Sequence, residues 1–258
     1  MADRDLLRST AVAVTAVAQA VVGLGSQLVV DAQNSTGAIS EENRSPVTPA
    51  GYAFSVWGLI YLACLVLAGH QLRRDQRGRE VHRRTGWWLV GAFAASTLWI
   101  PVFATRTLWL AQVVILLLVG CLAMAARAFR RTGPAAGLHE RLAVRLPVTL
   151  YLGWATVAAV AGFGTTARSL GLPERGGAAT ALSVVLLLAA AVGSVIAVGR
   201  LLAGAGFALT AGWALVAVAV ATETGAVRVL AVLVLLAILA VLGIRAATSR
   251  RPGTVLFG

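Results

Sequence analysis

The chain has 258 residues, 59% of them hydrophobic and only 12% charged, where a soluble domain carries about a quarter charged residues. Its mean hydropathy is +0.83, and its apolar residues fall in runs of about 20, the length that crosses a bilayer. The formal net charge of +12 comes from 22 basic residues, all arginine; they sit between or beside the apolar runs as topology signals do, which leaves no polar domain for a nucleic-acid-binding fold.

Arg4 and Arg8 precede a first apolar segment at about 10–31. Ala18-Gln19-Ala20 has the small-x-small form of a signal-peptide cleavage site, but the apolar stretch continues to Val30, so a retained first helix is expected. A polar loop from Asp31 to Val47 follows. The second span, about 49–71, opens with Thr48 as a cap and Pro49 at the first helical position. Tyr52, Phe54, Trp57 and Tyr61 lie just inside it. Phe54, Trp57 and Tyr61 are three and four apart and share one helical face. The span runs out into Arg73–Arg84, a basic run that reads as a topology anchor and is compatible with an anionic-lipid patch.

A third span, about 86–105, starts with Trp87 and Trp88, which suit an interface belt. Near its far end come Trp99, Pro101 and Phe103, with Pro101 predicting a kink. Thr105-Arg106-Thr107 links to a fourth span, about 108–126, then to Arg127–Arg131 and a basic loop reaching about Arg145. A fifth span, about 146–166, holds Tyr151 and Trp154. Three more, about 178–198, 203–221 and 226–244, are rich in Ala, Val, Leu and Gly, with Trp213 in the middle one.

Cys64 and Cys121 both fall within spans, and His70, His82 and His139 lie at span ends or in basic loops. Neither a disulfide framework nor a metal site is expected. Glu223, Asp31 and His70 sit at span boundaries, so the spans hold almost no titratable group for acid–base chemistry, and no enzyme is expected. With a cytoplasmic N-terminus, eight spans put both termini inside. Arg44, Arg106, Arg168, Arg175 and Arg228 are then outside and the other seventeen of the 22 arginines inside, a clear positive-inside bias.

Three motifs carry a resemblance. The run P-A-G-Y-A-F-S-V-W-G-L-I-Y resembles the second-helix signature of the TspO/MBR family, the tryptophan-rich sensory or translocator proteins. Pro49, Phe54, Trp57 and Tyr61 match, while Ala50 replaces a second proline and Tyr52 a first tryptophan. Trp99, Pro101 and Phe103 resemble the third-helix motif, with Ser96 and Ile100 where the family often has asparagines. Leu150–Trp154 looks like the fifth helix of an elongated bacterial branch, with Gly162 in place of an asparagine, and Asn34–Ser40 resembles that branch's loop. The resemblance covers about 1–168. The expected fold is therefore an all-α polytopic membrane bundle. It comprises a TspO-like five-helix module, 1–172, and an accessory segment of about three helices with a basic cytoplasmic tail, 173–258.

Spacing alone leaves the aromatics open to two readings, packing between helices or a ligand wall. The resemblance implies the second: Tyr52, Phe54, Trp57, Tyr61, Trp99, Phe103, Tyr151 and Trp154 would converge on one pocket for a flat hydrophobic ligand, a tetrapyrrole such as porphyrin or a sterol-like lipid. No cofactor is expected beyond such a porphyrin- or haem-like ligand. The expected function is binding, sensing or transport in a bacterial inner membrane. A permease using all eight spans and a structural partner of another membrane protein are the alternatives. Expected partners are the lipid bilayer and the hydrophobic ligand, with a homodimer open and no nucleic acid.

Overall fold

The computed structural model describes residues 2–29, 32–200 and 204–258. The expected end of the first span at Val30 and Asp31, and the start of the seventh within 201–203, lie outside the described residues. Those residues are helical without a strand, and eight helices among them are long and apolar enough to cross a membrane. In chain order the helices are α1 (Ala2–Val29), the short α2 (Thr36–Glu42), α3 (Val56–Leu72), α4 (Glu80–Ala104), α5 (Leu108–Thr132), a single turn α6 (Leu138–Glu140) and α7 (Leu146–Ser169). They continue with α8 (Gly177–Arg200), α9 (Gly204–Ala221), α10 (Gly225–Thr248) and a short α11 (Pro252–Phe257).

The first five spans close a ring. α1 packs on α3 and α4, α4 on α5, α5 on α7, and α7 returns to α3. The last three stand on one flank of it: α9 lies along α7, and α10 packs on both α8 and α9. The burial patterns explain this order. α8 buries Ala179, Ser183, Leu187, Ala190, Ser194 and Val198, and α10 buries Val227, Ala231, Val234, Ile238 and Leu242. These are single stripes at helical spacing, so each has one protein-facing side and leaves the rest for lipid. α7 is buried on nearly every side, because the ring covers one half of it and α9 the other.

Small residues set the α7–α9 distance. A β-carbon on Gly153 would run into the Phe207 carbonyl and the Thr210 hydroxyl, and one on Gly206 into the Thr149 hydroxyl. Lipid tails give no hydrophobic drive for helix association, so close backbone packing of this kind supplies the cohesion. Thr210 adds a hydrogen bond, its hydroxyl donating to the Leu150 carbonyl at 2.6 Å.

Several expected boundaries shift. Thr48 does not cap the second span; its hydroxyl accepts from the Ser45 amide at 2.9 Å. The chain instead enters through a 3-10 turn, Gly51–Ser55, and becomes α-helical at Val56. The reason is tertiary, for the Ala50 amide donates to the Ala217 carbonyl of α9 at 3.1 Å. α4 begins at Glu80 rather than 86, and α5 runs on to Thr132 rather than 126. The fifth span begins at Leu138, through α6 and a π-turn at Arg141–Arg145. Arginines ride on these helix ends because they have partners there: Arg83 pairs with Asp5 at 2.5 Å, Arg84 with Glu80 and Arg145 with Glu140, both at 2.7 Å.

Candidate ligand-binding site

Trp57 is the hub of an aromatic wall. Its ring stacks on Tyr61 with centroids 5.5 Å apart and on Trp99 at 5.9 Å, and meets Tyr151 and Trp154 edge-on, each at 5.8 Å. Trp99 continues to Phe103 at 4.8 Å, and Trp154 to Phe54 at 6.1 Å. The Gly51–Ser55 turn with α3, α4 and α7 thus bring seven of the expected residues into one connected cluster. Each such ring pair is worth about 0.5–1.5 kcal/mol beyond area burial, so the wall is held before any ligand enters. Tyr52 departs from it. Its ring meets Trp213 of α9 edge-on at 5.3 Å, and the Trp213 indole donates to the Ala53 carbonyl at 3.1 Å.

The wall has two sides. On one lies a cavity of about 500 Å³ among α1, residues 34–37, the Gly51–Ser55 turn, α3 and α4, lined by Tyr52, Phe54, Trp57, Tyr61 and Trp99. On the other is a cleft of about 30 Å³ bordered by Phe103, Trp154, Gly162 and Ala214. The first has the volume of a small-molecule site; the second holds little more than a water. Phe103 and Trp154 therefore back the wall from its narrow side. Tyr151 lines neither space: it is fully buried, and its hydroxyl donates to Ser96 Oγ at 2.5 Å.

Most of the polar groups come from the Asn34–Ser40 loop, which carried the resemblance but was not expected to line the pocket. Ser26, Asn34, Ser35 and Thr36 line the larger cavity together with the aromatics. Asn34 Oδ1 accepts from Arg106 at 2.6 Å, and Arg106 also pairs with Glu42 at 2.6 Å, tying this segment to the α4–α5 turn. Ile100 lines the cavity as an apolar residue. At Gly162 a β-carbon would strike Oε1 of Gln112, whose Nε2 donates to the Ala159 carbonyl at 3.2 Å. An amide is therefore present at that spot, supplied from α5. Gly23 was missed too; a β-carbon there would collide with the Tyr61 ring, so this glycine lets Tyr61 pack closely against α1. A lone glutamine in an apolar span was a legible signal for Gln112. Gly23 offered none.

A family model described as TSPO-like protein matches residues 9–245. The chain belongs to the TSPO-like family. No curated protein and no solved structure matches it. The TSPO-like match starts in α1 and ends in α10, so it takes in the last three spans as well. Motif reading had confined the likeness to about 1–168, because α8–α10 carry no aromatic signature. The structure is in keeping with the longer extent: α9 of this TSPO-like chain places Ala214 at the cleft and Trp213 against Tyr52.

Proposed function

We propose that this TSPO-like membrane protein binds flat hydrophobic molecules, tetrapyrroles such as porphyrins or sterol-like lipids, in the cavity beside Trp57, as a sensory or transport protein. One observation carries the reading: a cavity of about 500 Å³ lined by five aromatic rings together with hydroxyl and amide side chains. Stacked rings suit a conjugated ligand, and the polar segment at 34–37 could orient its substituents. The proposed setting is a bacterial inner membrane with both termini in the cytoplasm, supported by the arginine bias.

A fluorescence-quenching titration of the purified protein with a porphyrin and a sterol tests this. Micromolar saturation, about −8 kcal/mol, is expected. Trp57→Ala and Trp99→Ala should each weaken binding by about 1–3 kcal/mol, as anchor residues do. Trp87, 55% exposed on the outer face of α4, should matter little when changed to alanine. Unchanged binding in the first two variants overturns the site, and equal losses in all three point to destabilisation instead.

A further inference from the structure

On the outer flank of the bundle, away from the aromatic cavity, α4 and α5 frame a notch of about 210 Å³ lined by Arg84, Trp88, Met124, Arg127, Ala128 and Arg131. Arg84 and Trp88 are four apart on α4, Arg127 and Arg131 four apart on α5, so each pair projects from one face of its helix toward the other. Arg84 is paired with Glu80 at 2.7 Å. No ion pair involves Arg127 or Arg131 among the described residues, and both are exposed. Three guanidinium groups therefore converge with one acidic neighbour between them.

The surroundings set the level of the notch. Toward the middle of both helices the same flank exposes only apolar side chains, among them Leu98, Val113 and Leu117, while Trp87 and Trp88 stand half-exposed at the boundary. Tryptophan in that position marks the headgroup layer. Guanidinium forks match phosphate oxygens two at a time, and basic pockets between spanning helices are where acidic headgroups bind.

We propose that this notch is a specific site for an anionic phospholipid. The phosphodiester would sit among Arg84, Arg127 and Arg131, the glycerol region against Trp88, and an acyl chain past Met124 along the α4–α5 face. Charge complementarity selects this occupant: an apolar partner helix would leave unpaired arginines buried, and a soluble anion would make no use of the apolar face below.

The test is native mass spectrometry of the full chain in neutral detergent, titrated with phosphatidylglycerol, with phosphatidylcholine of the same chains, and with soluble glycerol phosphate. Phosphatidylglycerol should be retained and the other two should not. Arg127→Gln with Arg131→Gln should lower retention about five-fold per arginine removed, the worth of one cation near an acidic surface. Arg250→Gln with Arg251→Gln removes the same charge elsewhere and should change it less than two-fold. Trp88→Ala gives an independent readout, a weaker loss with the charge intact. Equal retention of the two lipids overturns the proposal, as does an equal loss in the control pair, which would mean diffuse attraction. Competition by glycerol phosphate alone also overturns it, in favour of a free-phosphate site.

Discussion

Glu140 shows how much a single side chain decides at the arginine-rich end of the bundle. Its Oε1 accepts from Arg145 at 2.7 Å and its Oε2 from Arg79 at 2.7 Å and the Ala136 amide at 3.3 Å. The Arg145 side chain is 0% exposed and Glu140 4%, and the Arg145 guanidinium also lies over the Phe129 ring at 5.1 Å. Removing one member of a buried pair strands the other charge, so Glu140→Gln should cost about 3–5 kcal/mol in thermal or denaturant unfolding. Replacing Arg145 and Glu140 together by Met and Leu should cost far less. A Glu140→Gln variant as stable as the parent would mean that Arg145 reaches water. At the opposite end, Gly23→Ala forces a methyl group against Tyr61 and should push that ring into the cavity. Its expected cost is about 1–3 kcal/mol of overpacking, relieved by a second change, Tyr61→Leu. Additive losses in the double variant would show that the two sites do not touch.

At the scale of elements, the α7–α9 seam and the α4–α5 turn each make a distinct prediction. The β-carbon of Gly153→Ala would meet backbone, which cannot swing aside as a side chain can. A loss of about 1–3 kcal/mol is expected. Gly193 of α8 has open space around its β-position, so Gly193→Ala should be neutral or stabilising by about 0.5–1 kcal/mol. Equal melting temperatures for the two variants would mean that the seam is looser than the structure has it. In the α4–α5 turn, Arg106 adopts φ of 60°, a left-handed conformation costing about 1–2 kcal/mol for a residue with a side chain. Its bonds to Asn34 and Glu42 offset this, although pairs this exposed are worth only about 0.2–1 kcal/mol each. Arg106→Gly keeps the turn and deletes the clamp. Amide exchange across 34–42 should speed up several-fold while α3 stays protected, and unchanged exchange would show that Arg106 does not hold this segment.

For the whole molecule, we propose a division into a five-helix ring, 1–172, and a three-helix flank, 173–258. The two meet through the Gly153 seam, the Ala50–Ala217 hydrogen bond and the Tyr52–Trp213 contact. Expressed together as separate chains, the pieces should co-purify and melt cooperatively. The ring alone should melt lower, since α7 then exposes its Gly153 face. A ring that aggregates even beside its partner piece would remove the division. Orientation is testable alongside: reporters after Arg77 and Gly133 should lie in the cytoplasm and one within Asn34–Arg44 outside, and the reverse pattern would overturn the arginine-based topology.

The sequence by itself determined the spans and the family. Apolar length is a local property, and the Trp57, Trp99 and Trp154 motifs are legible in linear order, so the eight helices and most of the aromatic wall could be read before any coordinates. It also assigned Arg79–Arg84 and Arg141–Arg145 to loops, since a charged residue read alone favours water; only the folded bundle supplies Asp5 and Glu140 as partners that let those residues extend the helices. Parts of the site were equally hidden. Gly23 matters because Tyr61 lies against it, and α9 because its Ala217 carbonyl takes the Ala50 amide and delays the start of α3. Each of these is a relation between helices far apart in sequence, and residue spacing within a helix carries no information about which neighbour will face it.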